Sequence, residues 1–198
     1  MKVRPLLRSE LKTAAETLAL AFASDPLFVH FLPRAARRAR WLRWFHMRAL
    51  RESFAVDGAY TLEAGPEAGA LGIYPPGAWP PSLLAELRAW PLPPGLPTWS
   101  FVRSGLHLEK RIHALHPPAP HLYVYVLGVH PSEKGRGRGG ALLRHAAELA
   151  KTAGVVAHLE TANPDNLSLY RRFGYEVEVE VTSHGGPPVW TMSTTGPA

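Results

Sequence analysis

One stretch of the sequence, Tyr123–Leu143, constrains the fold and the ligand more than any other. Its first part, Tyr123–Val129, is rich in aromatic and β-branched residues and predicts a buried strand. The second part, His130–Gly140, is a loop with four glycines and three cationic side chains, and a helical pattern begins at Ala141. Glycines let a backbone approach a phosphate, and the N–H groups at a helix start point at an anion. The stretch therefore predicts a site for the pyrophosphate of a cofactor.

The bulk composition limits the class of protein. A chain of 198 residues with 46% hydrophobic content predicts a single domain, residues 1–198, with a sizeable core. Cysteine is absent, which excludes disulfides, thiolate metal sites and a cysteine nucleophile. The sequence has neither a long apolar run nor the apolar core of a signal peptide, so we expect a cytoplasmic protein that does not span a membrane. The net charge of +6 favours anionic ligands without identifying one.

The order of the predicted elements indicates an α/β fold. Ala59–Glu63 and Ala68–Tyr74 predict an antiparallel hairpin, and three later strands are expected at 155–161, 175–181 and 188–193. Helices are expected at 9–23 with Ser9 as the cap, 34–54, 82–90, 98–115, 141–154 and 163–173. Antiparallel strands followed by alternating strands and helices predict a mixed sheet with helices on its faces.

The predicted helix Arg34–Phe54 carries seven arginines among its apolar residues. Such a helix is typical of an amphipathic element with a solvated cationic face. The alternative is a surface for an acidic partner, and a nucleic-acid-binding module would need a patch of this kind.

The glycine loop is compatible with more than one phosphate-binding motif. A P-loop requires Gly-Lys-Ser/Thr, which the sequence lacks. A dinucleotide fingerprint is matched by Gly135, Gly137 and Gly140, and Glu160 lies where a ribose-binding acid would follow. Against the fingerprint, residues 130–134 separate the glycines from the strand, and too little chain follows for the rest of such a fold. The third alternative is a site for coenzyme A (CoA).

Two motifs carry a resemblance to a known family. The first reads VHPSEKGRGRGG from Val129 to Gly140, and the second reads NPDNLSLYRRFGY from Asn163 to Tyr175. Together they resemble the two signatures of the GCN5-related N-acetyltransferases (GNAT), with Lys134 where that family usually has Gln or Arg. The LETANPDNLSLYRRFGYEV segment, the VWTM ending and the N-terminal AFASDPLFVHFLP are similar to the puromycin N-acetyltransferase branch. The resemblance implies a mostly antiparallel mixed sheet, flanked by helices and splayed at the strand before the loop.

The resemblance also implies roles for individual residues. The pyrophosphate of acetyl-CoA would lie against Lys134, Gly135, Arg136, Gly137, Arg138, Gly139 and Gly140. The pantetheine arm would pair with the edge formed by Leu127, Gly128 and Val129, where we expect Gly128 to form a bulge and a backbone N–H near Val129 to stabilise the oxyanion. Tyr170 would protonate the leaving thiolate, and Asn163 or Asn166 would hold the cofactor from the other side.

The acceptor site is less well defined by the sequence. Glu160, at a strand end, is a candidate base for the amine proton, and His121, Tyr123 and Tyr125 are candidates to line the pocket. Aromatic residues in the segment Tyr74–Trp99 also suit an apolar or aromatic acceptor. His107, His113, His116 and His121 lie close in sequence, but they form no recognised zinc motif, so we expect no metal.

The resulting expectation is an acetyl-CoA-dependent N-acetyltransferase, an acyltransferase that acts by direct attack in a ternary complex. The acceptor would be a primary amine of a small molecule or a peptide. A non-catalytic acyl-CoA-binding regulator and a basic nucleic-acid-binding module are the alternatives, although little in the sequence favours nucleic acid. A homodimer is left open.

Overall fold

The computed structural model describes residues 1–81, 95, 108, 110–182 and 185–196. Its strands are β1 Val3–Pro5, β2 Ala59–Leu62, β3 Gly69–Tyr74, β4 Leu122–Val129, β5 Ala157–Thr161, β6 Tyr175–Thr182 and β7 Pro188–Thr194. Its helices are α1 Leu11–Ala21, α2 Pro26–Phe31, α3 Ala35–Ala55, α4 Arg138–Ala153 and α5 Leu167–Arg171. The predicted helix 82–90 and most of the predicted helix 98–115 lie outside the described residues. None of the described helices is long and apolar enough to cross a lipid bilayer.

The seven described strands form one sheet in the order β1-β2-β3-β4-β5-β7-β6. Neighbouring strands are antiparallel except for β4 and β5, which are parallel. The β4–β5 ladder joins Leu122 to Ala157 and Tyr123 to His158, and it extends no further along these two fully described strands. Because β4 continues to Val129, the two strands splay apart beyond Tyr123. This arrangement confirms the predicted mixed, mostly antiparallel sheet with its splay.

The irregularity in β4 lies at Tyr125, not at the predicted position Gly128. The β3–β4 register places Gly72 opposite Val126 and Ile73 opposite Val124, so Tyr125 is the extra residue. A bulge of this kind puts consecutive side chains on one face and bends the strand. Gly128 pairs regularly with Ala70.

A different requirement explains Gly128. A Cβ at this position would lie 2.7 Å from Leu18 Cδ2 and 2.9 Å from Ala21 Cβ, both on α1. Gly128 therefore lets α1 pack closely against the sheet.

Helices cover both faces of the sheet. On one face, α4 buries Leu142, Leu143 and Ala146 against β3, β4 and β5. On the other face, α1 and α3 bury an apolar stripe that includes Leu18 and Leu50. The helical spacing in the sequence predicted these buried positions because a 3.6-residue period repeats on one helix face.

Helix ends differ from the predictions where local hydrogen bonds decide them. A short 3-10 turn, Arg8–Glu10, precedes α1, and Glu10, not Ser9, accepts the bond from the Leu7 N–H. Asp25 accepts bonds from the Leu27 and Phe28 N–H groups, so the Asp25-Pro26 pair starts α2 instead of only ending α1. At the end of α4, Gly154 has φ +67° and confirms the predicted C-terminal glycine.

Two of the arginines of α3 have structural roles. Arg38 donates to the carbonyl oxygens of Ala23 and Leu32, which ties α3 to the preceding segment. Arg48 pairs at 2.7 Å with the buried carboxylate of Glu52. Arg38 and Arg48 belong to the cationic helix that would form the surface in the nucleic-acid-binding alternative, and both make contacts within the protein.

Candidate active site

The loop between β4 and α4 is built from two local turns. His130 is followed by a 3-10 turn over Pro131–Glu133, and the His130 ring accepts a bond from the Ser132 N–H. Gly135 and Gly137 follow with φ +77° and +76°, a conformation that other residues rarely adopt. A Cβ at either glycine would meet no atom of the described residues within 4 Å, so these residues leave the backbone open to an approaching ligand there.

The start of α4 presents backbone donors. Gly137 occupies the N-cap position and offers no side chain, and the first main-chain bond of the helix runs from the Ala141 N–H to the Gly137 carbonyl at 3.0 Å. The N–H groups of residues 138–140 precede that bond. Such donors, together with the helix dipole, favour an anion.

Glu133 and Arg138 form an ion pair beside these donors. Arg138 Nη2 lies 2.7 Å from Glu133 Oε2, and the Arg138 side chain is only 17% exposed. Its Nε and Nη1 atoms are buried and have no hydrogen-bond partner among the described residues. Unsatisfied donors on a buried cation are costly, and a phosphate would satisfy them. This part of the loop therefore fits a pyrophosphate.

Arg136 and Lys134 are placed differently. The Arg136 side chain is 63% exposed and lies 3.3 Å from the carboxylate of Glu133, and Lys134 is exposed. These two predicted cofactor residues can contribute charge, but they are not held toward the helix start as Arg138 is.

The last two glycines of the loop belong to the first turn of α4. A Cβ on Gly140 would lie 2.9 Å from Phe173 Cζ, so the buried Gly140 makes room for that ring. A Cβ on Gly139 would stay 3.7 Å from Val129 and 3.9 Å from Leu169, which is ordinary contact. Both glycines have helical backbone, so α4 begins at Arg138 and not at the predicted residue Ala141.

The main chain of β4 explains how a pantetheine arm could pair here. The His130 N–H bonds to the Ala68 carbonyl, and Val129 stands opposite Gly69 in the next position. Bonded and non-bonded pairs alternate in an antiparallel ladder. The N–H and C=O groups of Val129 and Leu127 therefore face away from β3, toward the gap left by β5.

Tyr170 lies on α5 and is 8% exposed. Burial raises the pKa of Tyr170 to about 12, the negative charge of Asp25 adds to the rise, and hydrogen bonding with Thr161 and Asn166 opposes it. The hydroxyl therefore carries its proton throughout the neutral range and can act only as an acid there.

The two asparagines have distinct local roles. Asn163 accepts a bond from the Asp165 N–H at 3.1 Å and caps the 3-10 turn Pro164–Asn166. Asn166 contacts the Tyr170 hydroxyl. Asn166 thus lies next to Tyr170, the predicted acid, whereas the side-chain oxygen of Asn163 accepts a main-chain hydrogen bond.

Glu160 is already engaged by three side chains. The Tyr123 hydroxyl donates to Glu160 Oε2 at 2.8 Å, and the Nε2 atoms of His116 and His158 lie 3.0 and 3.4 Å from Oε1. Burial alone would raise the pKa of Glu160, whereas positive charge on His116 and His158, present only when these rings are protonated, would lower it. The role of Glu160 as the base for the amine proton stays a prediction.

Sequence reasoning missed His158 and Glu52. His158 and Glu160 stand two residues apart in β5, so they share one face of the sheet, and this alternation is the signal that could have linked them. Glu52 is 4% exposed on α3 and accepts a bond from the Tyr74 hydroxyl at 3.0 Å.

The tyrosines that bond to Glu52 and Glu160, Tyr74 and Tyr123, pack against other aromatic rings. Trp79 lies 4.9 Å from Tyr74, 4.8 Å from Tyr123 and 5.8 Å from Tyr125, measured between ring centroids. The predicted acceptor residues Tyr123 and Tyr125 thus lie close to each other and to Trp79. The third, His121, contacts the ring of His116, which stacks on Trp79. Trp90, Trp99 and His107 are outside the described residues.

Comparisons with known proteins agree with this geometry. Residues 101–175 match the sequence model of the Acetyltransferase (GNAT) family. A solved Corynebacterium glutamicum protein, named histone acetyltransferase HPA2 and related acetyltransferase, is 22% identical with a TM-score of 0.68 over 100% of this chain and 96% of that one. A Drosophila melanogaster polyamine N-acetyltransferase, which forms N-acetylagmatine, is 19% identical with a TM-score of 0.66 over 97% and 98% of the two chains.

A third similar structure is arylalkylamine N-acetyltransferase 2 from Aedes aegypti. It is 11% identical with a TM-score of 0.64 over 100% of this chain and 99% of that one. The narrower likeness to puromycin N-acetyltransferases stays a prediction. The chain has the fold of the GNAT acetyltransferases, and the segment 101–175, which includes the splayed strand and the glycine loop, matches the sequence model of that family.

Proposed function

We propose that the protein is an acetyl-CoA-dependent N-acetyltransferase that acetylates a primary amine of a small molecule or peptide. The observation that carries the proposal is the splay of β4 from β5 directly before the glycine loop. The splay leaves the main-chain groups of Leu127 and Val129 free of β5. The loop adds Arg138, whose buried Nε and Nη1 atoms have no hydrogen-bond partner within the described parts of the chain. One continuous surface therefore offers partners for an amide-containing arm and for the phosphates at its end.

Different residues of the chain bind different parts of acetyl-CoA. Gly135 and Gly137 admit the pyrophosphate, and Arg138 and the N–H groups at the start of α4 bind it. Leu127 and Val129 pair with the pantetheine amides through their outward main-chain groups. Gly128 pairs with Ala70 and lets α1 pack closely beside the pantetheine site, and Gly140 makes room for Phe173 while its N–H belongs to the proposed phosphate site.

Acetyl-CoA supplies a thioester whose acetyl carbon is open to attack by an amine. The Val129 N–H is oriented to stabilise negative charge on the carbonyl oxygen during that attack. As the new C–N bond forms and the C–S bond breaks, Tyr170, buried and protonated, donates its proton to the departing thiolate sulfur. The attacking nitrogen gives up one proton to water, and water returns a proton to Tyr170 after each turnover. Direct attack on the thioester is the mechanism we favour, because a chain without cysteine has no thiol to carry the acetyl group.

The acceptor site is proposed on the face of the sheet that carries Trp79, Tyr74, Tyr123 and Tyr125. Aromatic walls of this kind favour an amine with an apolar or aromatic body, and they also attract a cation. Two of the similar structures are named as acetyltransferases of polyamines and arylalkylamines, which supports testing both classes.

The test is an assay of thiol release from acetyl-CoA with a panel of amines. The panel contains spermidine, agmatine, tryptamine, phenethylamine, a free amino acid and a peptide with an unblocked N-terminus. CoA affinity is measured separately by calorimetry. Turnover with at least one amine supports the proposal. Tight CoA binding without turnover of any amine would favour the non-catalytic regulator, and a lack of CoA binding would remove the cofactor assignment itself.

A further inference from the structure

His116, His158 and Glu160 form a convergent cluster at the last β4–β5 pair. Each residue offers one ligand-type atom, and these atoms all lie within 4.8 Å of one another. His158 is fully buried, and the side chains of His116 and Glu160 are 6% and 11% exposed. Ligand-type atoms at such depth require a partner, because a buried polar atom without one is costly.

The three atoms do not satisfy one another. His116 Nε2, His158 Nε2 and Glu160 Oε1 each lack a hydrogen-bond partner among the described residues, although the oxygen is 3.0 and 3.4 Å from the two nitrogens. The separations suit hydrogen bonds, but the directions do not. One ion bound by all three atoms would give each of them the partner that it lacks.

The separations match those between neighbouring ligands of a metal ion. Zinc binds histidine nitrogen at about 2.0–2.1 Å and carboxylate oxygen at about 2.0–2.2 Å, so tetrahedral ligand atoms are about 3.3–3.5 Å apart. The measured 3.0 and 3.4 Å lie close to this spacing. The third pair of ligand atoms lies within 4.8 Å, so the side chains must adjust to bring all three atoms to bonding distance of one ion.

Each of the three side chains is held by a second contact through its other polar atom. His116 Nδ1 lies 3.0 Å from His121 Nε2, and His158 Nδ1 lies 2.8 Å from Ser193 Oγ. Glu160 Oε2 accepts the bond from Tyr123. Outer contacts of this kind orient metal ligands and set their tautomers.

The hydrogen bonds of His121 define the tautomer of a neutral His116. A carbonyl oxygen can only accept, so the contact of His121 Nδ1 with the Ala119 oxygen at 3.0 Å makes that nitrogen the donor. A neutral His121 then accepts at Nε2, and the proton in the His116–His121 contact belongs to His116 Nδ1. Neutral His116 therefore has a lone pair at Nε2, facing a carboxylate oxygen that also has only lone pairs. A cation between the two removes this repulsion.

We propose that His116, His158 and Glu160 bind a divalent transition metal, with Zn²⁺ as the best match to the spacing and to the nitrogen and oxygen ligands. Three protein ligands leave one tetrahedral position for water or another small ligand. The proposal departs from the expectation, drawn from the sequence, that the protein holds no metal. It does not depend on the proposed acetyl transfer.

The test begins with protein that has been stripped of metal by dialysis against a chelator. Zn²⁺ is titrated in competition with a chromophoric chelator, and Co²⁺ is added separately to give the visible absorption of a tetrahedral site. We expect one equivalent of metal per chain. His116→Ala and Glu160→Gln should each weaken Zn²⁺ binding by about 10-fold or more, as loss of a ligand requires at least the 10–100-fold cost of losing an outer contact.

His113→Ala is the matched control. The His113 ring lies 5.9 Å from that of His116 on the same segment but is not one of the three converging side chains. We expect its affinity to stay within about twofold of the original protein. Circular dichroism checks that each variant is folded, and His116, which lies in a turn, tolerates replacement better than the fully buried His158.

Two results would overturn the proposal. One is that the original protein binds no Zn²⁺ and gives no Co²⁺ absorption. The other is that folded His116→Ala and Glu160→Gln proteins bind metal as tightly as the original, which would assign the metal to a different group of residues. A protonated His116 paired with Glu160 would then account for the cluster. Calorimetry with CoA, run on the same samples, reports on the cofactor site independently.

Discussion

Arg138 Nη2 lies 2.7 Å from Glu133 Oε2, while the other nitrogens of the same guanidinium are buried and unsatisfied among the described residues. The ion pair holds Arg138 at the start of α4, where a phosphate can complete its hydrogen bonds. Arg136 contacts the same carboxylate but is 63% exposed, against 17% for Arg138.

This difference predicts unequal effects of two similar substitutions. Arg138→Gln should weaken CoA binding by about 10-fold or more, because charge-assisted bonds made by a desolvated guanidinium are strong. Arg136→Gln should weaken it only about two- to threefold, because an exposed charge is screened by solvent. Calorimetry at two salt concentrations measures both. Equal losses in the two variants would contradict the assignment of Arg138 to the phosphate site.

Gly137 and Gly154, at opposite ends of α4, allow strain to be separated from ligand binding. Both have positive φ, and a Cβ would meet no atom within 4 Å at either position. Gly137→Val and Gly154→Val should therefore destabilise the fold comparably, by about 1–2 kcal/mol. Only Gly137→Val should abolish CoA binding, because its side chain would occupy the approach to the loop. If Gly137→Val retains the original CoA affinity in calorimetry, the loop is not the cofactor site.

Tyr170 and Tyr175 test the proposed acid. Both tyrosines are buried, and their rings are 6.2 Å apart. Tyr170→Phe should lower kcat by about 100-fold and leave CoA affinity within a few-fold, because the hydroxyl acts only on the leaving thiolate. Tyr175→Phe removes a buried hydroxyl that has no hydrogen-bond partner among the residues that the structure describes, so it should leave kcat nearly unchanged. Steady-state kinetics with an accepted amine would contradict the role if Tyr170→Phe matched the original protein.

Gly128 and Gly139 provide a paired test of packing. Gly128→Ala should lower the free energy of unfolding by about 1–3 kcal/mol, because its methyl group would overlap Leu18 and Ala21 on α1. Gly139→Ala should be neutral or stabilising by up to about 1 kcal/mol, because its methyl group has room and alanine favours a helix. Urea unfolding measures both. A stable Gly128→Ala protein would show that α1 can shift away from β4 at little cost.

The buried side chain of His46 makes the stability of the fold depend on pH. Burial lowers the pKa of His46 to about 4, although its contact with the Leu42 carbonyl opposes the shift. An unfolded histidine titrates near pH 6.5, so between these values the unfolded chain binds the extra proton. The contribution of His46 is therefore full above about pH 6.5 and is lost as the pH falls toward 4, by about 3 kcal/mol in total.

The measurement is urea unfolding from pH 7 to pH 4 on the original protein and on His46→Leu. We expect a shallower decline in stability for His46→Leu. His30→Gln, which changes an exposed histidine, should follow the original curve. Parallel curves for His46→Leu and the original protein would assign the acid sensitivity to other groups.

The sequence by itself determined the elements whose signals are local. The aromatic and β-branched run of β4, the period of α4 and the C-terminal Gly154 depend on residues near one another in the chain. A periodicity, or a glycine at a position of positive φ, depends on a few neighbouring residues, so these features could be recognised from the sequence alone. The same is true of the position of the loop, although its helix starts three residues earlier than predicted.

Only the tertiary structure decided what several of the recognised residues do. Gly128 and Gly140 face α1 and Phe173, and the bulge belongs to Tyr125, because packing between distant segments sets these contacts. The same reason applies to His116 and Glu160, which are 44 positions apart in the sequence yet lie 3.0 Å apart in the fold. Pairing of β4 with β5 creates that proximity, and no local pattern records it.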